Sequence, residues 1–410
     1  MARTGINVKL SDTTLGTSAS NEGVAMILYP TTTITGMNSP YLFTSEGEYL
    51  SAVEAMTTTE KGQFNSQISG MVHKFYQKAG SGAKLWIGFI VDAASGGDYV
   101  TPNIFKIIDM IYLTTVGGWD NRPRLLGFTH NRASGSVTAS AALPARTAKM
   151  VEGIQTLCNN LFAESIRTCA ILAEDCNAKY MFTSTANIPD ATKLYAAGAP
   201  NVALQLTTSL TLPDKTPITD VGEALGMLYN MNPAQSIGNM QLPAAATTAF
   251  MNDETNVVNV ATLSLAQVDA MGTGQLLFHR TRKGKNGVYY NDGATANDST
   301  KALSKIEFVR VANGVCDDAE AFFQGLINTQ VPVTNSGAIQ AGYVSAVLNE
   351  FNTRYIDPRL SRGDASAIDI SLEAKGGNFV VSRSFAITVR ILPSPNMEQA
   401  FINVFYVSQL

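Results

Sequence analysis

The sequence predicts an α/β portion followed by an α+β portion, and three observations carry that prediction. Between residues 103 and 231, helical apolar spacing alternates with short apolar strands. That is the rhythm of βαβ units around a mostly parallel sheet. From residue 299 the rhythm changes to two helical patterns followed by period-two strands. The 410 residues are 45% hydrophobic and only 15% charged, against about a quarter charged in ordinary globular chains. Much of the surface is therefore expected to be covered in an assembly. A chain of this length holds two or three domains with real cores.

In chain order, residues 24–29 (VAMILY) form a compact apolar strand. Residues 46–56 place Leu50, Val53 and Met56 on one helical face, and residues 68–77 form a second helix stopped by Gly80 and Gly82. Residues 84–91 (KLWIGFIV) are a buried strand. Then come a helix at 104–113, a strand at 124–129, an amphipathic helix at 145–162 and a strand at 167–173. A short helix at 191–197, a strand at 201–207 and a helix at 219–231 follow. Strand order is not readable from these patterns. Residues 267–274 end the region; 275–279 and 288–290 are short strands around a basic loop. A long helix pattern covers 299–327, with a break at Asn313-Gly314, and another covers 337–351.

Both termini read as strands. Ile6, Val8 and Leu10 alternate with Asn7 and Lys9, and a Ser/Thr-rich linker follows to residue 22. At the other end Phe379, Val381, Phe385, Ile387, Val389 and Ile391 share one parity, so 377–391 reads as one strand with a buried face. Pro393 and Pro395 stop the pairing. Residues 400–410 (AFINVFYVSQL) are apolar on both faces, with Phe401, Ile402, Val404, Phe405, Tyr406 and Val407 at the centre. A bare terminal strand invites pairing with another chain. Two tethered terminal strands predict exchange between subunits.

Little in the sequence signals chemistry. Net charge is −4, which removes the electrostatic case for nucleic acid. His73, His130 and His279 fit no metal-binding spacing. Gly80 and Gly82 lie between a helix and a strand, the wrong order for a phosphate loop. Gly272-Thr273-Gly274 opens a strand and is equally wrong for a dinucleotide. No G-x-S-x-G elbow is present. Asp317, Asp318 and Glu320 read as a solvated helix face, and Arg362-Gly363-Asp364 as a loop before a strand. Four separated cysteines (Cys158, Cys169, Cys176, Cys316) read as reduced thiols. No apolar run approaches the ~18 residues of a membrane span, and the start carries no signal core. Catalytic, cofactor and metal residues are expected to be none. Arg280, Arg282, Lys283 and Lys285 form the densest basic run and read as an inter-subunit salt-bridge loop. On the predicted helix from 299, Lys301 and Lys305 share a face with spacing four.

Several segments, in order, resemble the contractile phage tail sheath family, including its phage-tail-like injection systems. Residues 74–87 (KFYQKAGSGAKLWI) are similar to its early helix, Gly-rich turn and strand. Residues 224–232 (ALGMLYNMN) resemble its Ala/Gly-rich helix ending in tyrosine. Residues 276–280 (LLFHR) and 287–291 (GVYYN) resemble the opening of its conserved inner domain, although the family often has tryptophan where this chain has Tyr289-Tyr290. Residues 385–405, with Ile391-Leu392-Pro393 between two strands, resemble its ending.

The resemblance implies an N-terminal arm at 1–22, an outer α/β domain at 23–273, an inner α+β sheath-type domain at 274–392, and a C-terminal arm at 393–410. It also implies exchanged terminal β-arms. It makes the chain a non-enzymatic subunit that polymerises as stacked hexameric rings around a tail tube and contracts. Lys301, Lys305 and Arg310 become the tube-facing helix. The implied partners are further copies in a six-fold helical polymer, a tail tube protein, and baseplate and tail terminator proteins, with no nucleic acid or membrane insertion. The implied location is a virion tail or phage-tail-like particle assembled in a bacterial cytoplasm. The alternative is a cytosolic α/β enzyme acting on a nucleotide or small metabolite. A tube or baseplate component is a third reading, disfavoured because tubes are smaller and richer in strands.

Overall fold

A computed structural model describes residues 24–31, 39–92, 97–130, 140–212, 217–253 and 256–394. Both terminal arm strands, Ile6 to Leu10 and Phe401 to Val407, lie outside the described residues. The chain divides into two compact units, the first ending at Gln330 and the second beginning at Val331.

The first unit is built on six strands: β1 (Ala25–Thr31), β2 (Tyr41–Phe43), β3 (Leu85–Val91), β4 (Leu125–Phe128), β5 (Cys169–Ala173) and β6 (Val202–Gln205). They lie in the order β2-β3-β1-β4-β5-β6. All neighbours are parallel except β2 with β3. The mostly parallel sheet is thus as the sequence predicts. Its central strands are apolar on both faces because helices cover both sides. On one face Ala25, Ile27 and Tyr29 pack with α1 (Glu46–Ala55), α3 (Ser66–Ala79) and α7 (Gly222–Asn230). On the other, Met26 and Leu28 pack with α4 (Ile104–Thr114) and α5 (Arg146–Ala163). Single-turn helices α2 (Thr58–Lys61) and α6 (Ala178–Met181) lie in the connections, and α8 (Leu265–Thr273) follows them.

Local chemistry sets the helix ends. The Asn65 side chain accepts from the amides of Gln67 and Ile68 and caps α3, and Gly80, at φ 83°, ends it. The α3–α7 contact is very close. A Cβ on Gly222 would lie 2.0 Å from the Met71 carbonyl oxygen, and one on Gly226 2.5 Å from that of Phe75. Two glycines four apart let one backbone seat on the other.

Three sequence expectations need correcting here. The 191–197 helix is a single 3-10 turn, Ala191–Lys193. The strand expected at 275–279 is displaced. Leu277 makes one parallel bridge beside Gln205, and the strand proper is β9 (His279–Thr281), antiparallel to β10 (Val288–Tyr290). A further short pair, β7 (Thr207–Thr208) and β8 (Phe250–Met251), extends this region. The 299–327 helix is really α9 (Ile306–Gln324), unbroken at Asn313-Gly314. It starts late because Asp298 accepts from Thr300 and holds residues 298–301 in a turn.

The division at Gln330 also differs from the boundary expected at 273/274. Leu277, Tyr290, Ile306 and Val309 belong to the same core as β1 and α3, so residues 274–330 complete the first unit.

The second unit comprises α10 (Ala341–Phe351), a π turn (Asn352–Ile356), α11 (Asp357–Arg362), β11 (Ala365–Ala374), α12 (Phe379–Ser382) and β12 (Phe385–Pro393). The single strand expected over 377–391 is only half present. Gly376 and Gly377 have positive φ, residues 379–382 make a helical turn, and Arg383 sits at φ 49° before the strand starts.

Candidate assembly surface

In the second unit, Gly363 at φ 78° ends α11 and turns the chain into β11. Beside it Asp364 is buried and accepts from Arg359 at 3.3 Å and Arg362 at 2.6 Å. The Arg-Gly-Asp run is therefore a structural corner. Along β11, Ile368, Ile370, Leu372 and Ala374 alternate with Asp369, Ser371 and Glu373. In the antiparallel register they stand opposite Ile391, Val389, Ile387 and Phe385 of β12. Directly opposed residues share a face, so the ribbon has one apolar and one polar side. Ile370, Leu372 and Ala374 are buried, as are Val347 and Phe351 of α10. Asp369 and Arg390 pair across the polar side at 3.2 Å, both largely exposed.

The sheet stops at two strands. No residue of β12 is fully buried, and each strand keeps one edge without a partner among the described residues. Open edges of this kind are templates for another strand, and a two-stranded ribbon alone is marginal. Leu392 is 61% exposed, and Val380 and Val381 at the tip are also exposed.

In the first unit, Arg280 lies within β9 and donates to Asn291 Oδ1 at 3.0 Å, and Arg282 donates to the Asn291 carbonyl at 3.1 Å. Partial burial lowers both guanidinium pKa values. Only Lys283 and Lys285 stand exposed at the turn. The expected cationic helix face is not formed. Lys301 is exposed on the turn before α9, Lys305 precedes its first residue and pairs with Asp292, and Arg310 is buried with a bond to the Met231 carbonyl at 3.3 Å.

The acidic run on α9 is likewise not solvated. Asp317 pairs with Arg122, Arg124 and Arg167, and Glu320 with Arg167 at 2.5 Å. Asp317 is held ionised against its burial by these three guanidinium groups. The network ties α9 to the starts of β4 and β5.

Buried polar groups also fill the ends of the parallel strands, where such folds usually place ligands. Glu174, after β5, accepts from Arg146 at 2.9 Å and contacts His130 at 3.0 Å. Against its burial, His130 and Arg146 pull its pKa down to about 2. Glu223 contacts His279 at 3.2 Å and accepts from Ser209 at 2.7 Å. The carboxylate stands between hydroxyl and imidazole, so no Ser–His relay exists here. Asp220 is wholly buried near Glu223, and desolvation with that like charge raises its pKa to about 7. No group of three or more His, Cys, Asp or Glu among the described residues is placed to hold a metal. No described helix is long and apolar enough to cross a membrane.

The architecture is thus a three-layer α/β unit followed by a small α+β unit whose strand edges have no partner among the described residues. The same fold is found in chains of contractile injection particles. The protein matches, over 100% of both chains, a chain of the anti-feeding prophage helical sheath in the contracted state, at TM-score 0.59 and 11% identity. It matches a chain of the contracted PVC sheath complex, an extracellular contractile injection system, at 0.58 and 11%, covering 100% of this chain and 98% of that one. A sheath tail protein from Listeria innocua matches at 0.51 and 9%, over 92% and 94%. No family model and no curated protein matches the sequence. At these identities the shared property is the fold, and it is the fold of tail sheath chains, as the sequence resemblance predicted.

Proposed function

We propose that the protein is a structural sheath subunit that polymerises with copies of itself as stacked hexameric rings around a tail tube. Contraction of that polymer drives the tube through a target envelope. The observation that carries this reading is the end-to-end match to a chain from a helical sheath. The open edges of β11 and β12 support it, because strand addition from a neighbour would complete the small sheet. The strands at Ile6 to Leu10 and Phe401 to Val407 are the proposed donors, with the 393–398 segment as hinge. Head-to-tail contacts of this kind do not close on themselves and suit a helical polymer. Of the cationic residues, Lys301, Lys283 and Lys285 remain exposed for contact with a tube or neighbour. Baseplate and terminator proteins are the remaining proposed partners.

Negative-stain electron microscopy of the purified full chain tests this reading. Rings or tubes are expected. Discrete monomeric particles at all concentrations would overturn it.

A further inference from the structure

A cleft in the first unit has no part in the reading above. It lies between α3 and residues 244–248, has a volume of about 380 Å3, and falls within the range of small-ligand pockets, about 300–1,000 Å3. Lys74 and Lys78, one turn apart on α3, line one wall together with Gln77, and Asn286 stands on the rim. No carboxylate lines it among the described residues. Lys78 is half-buried and its ammonium donates to the Ala244 carbonyl at 3.0 Å. Burial, with the like charge of Lys74, lowers its pKa against the pull of Glu223. Glu223 is not among the lining residues; Ser209, which lines the cleft, and His279 engage it. The two lysines are the charged groups of the lining, Lys78 held by the Ala244 carbonyl and Lys74 within electrostatic reach of the buried Asp220 and Glu223.

We propose that this cleft binds a compact oxyanion, a phosphate or carboxylate group of a small molecule, held between Lys74 and Lys78 with the Gln77 and Asn286 amides as further donors. Lysine serves such groups as a point charge without demanding one geometry. Phosphate and carboxylate therefore share the site. The inference is independent of polymerisation, so either can fail without the other.

The test uses the full chain with inorganic phosphate and succinate as probes, at ionic strength fixed with chloride. The phosphorus line width of phosphate reports binding directly. A melting shift would not, since phosphate stabilises most folds by exclusion from their surfaces. Saturable broadening is expected, reversed by succinate and weakened at least tenfold in Lys74→Met/Lys78→Met, which keeps the apolar stems. Lys74→Glu leaves the Lys78 bond to Ala244 in place and is expected to lose the site as well. Broadening that does not saturate, or that persists in Lys74→Glu, overturns the proposal.

Discussion

The two units differ in how far each satisfies itself. In the first, a six-stranded sheet is covered on both faces, and its buried carboxylates find partners within the unit: Glu174 has His130 and Arg146, and Asp317 has three arginines. In the second, two strands carry a single apolar face, β12 has no buried residue, and neither outer edge has a partner strand among the described residues. A unit that closes its own hydrogen bonds is stable alone. One that leaves a ribbon unfinished depends on a strand from elsewhere. On the sheath reading proposed above, the contrast points to the smaller unit as the one that a neighbour's strand would complete.

The largest expected effect breaks that contrast outright. A chain ending at Ser394 should fold, with the melting temperature of the first unit unchanged, but form no long tubes by electron microscopy. Normal tubes from it would dismiss the arms as connectors. Next in size are changes inside each unit. Glu174→Gln leaves Arg146 and His130 facing a neutral group, and breaking a buried pair costs about 3–5 kcal/mol. Denaturant unfolding should register this loss in the first unit. In the wild type, the carboxylate's contribution is present above the ordinary glutamate range and is lost as pH falls toward about 2. Phe351→Ala should cost a similar ~3–5 kcal/mol, but limited proteolysis should find the new cleavages only beyond Val331.

A smaller effect depends on pH. Asp220 binds its proton more tightly in the folded chain, with a pKa of about 7 against 3.8. Its contribution is therefore intact at low pH and is lost as pH rises through about 7. Groups facing it are Glu223, Tyr290 and Lys74. Asp220→Asn should lose less melting temperature than wild type between pH 5 and 8; parallel curves would refute this. Smallest is the exposed Asp369–Arg390 pair. Removing it should change stability by less than about 1 kcal/mol.

The contrast also explains what was legible in the sequence. Strands such as 24–29 and 84–91 are apolar on both faces because helices cover both, so they stand out without knowledge of partners. The acidic run at Asp317 and Glu320 was misread because its arginine partners lie 150 to 195 residues away. A helix face gives no sign of such partners. The long helix was overextended because 299–305 mimics helical spacing, while the turn held by Asp298 is a local side-chain bond. In the second unit β11 was expected only as a strand of unstated extent after Arg362-Gly363-Asp364, although Ile368, Ile370, Leu372 and Ala374 alternate cleanly with polar residues. Its signal was available. Residues 379–382 kept strand parity by chance, and the positive φ of Gly376, Gly377 and Arg383 broke the strand there. The half-exposed ribbon, rather than any cluster of reactive groups, is the part of the candidate site that the sequence conveyed only in fragments.

Amide hydrogen exchange across residues 385–393 tests the central claim most directly, compared between dissociated chains and the assembled polymer. Fast exchange on the outer edge of β12 in the dissociated chain, slowed by orders of magnitude on assembly, is the predicted result. Equal protection in both states, or a chain that never assembles, would contradict it.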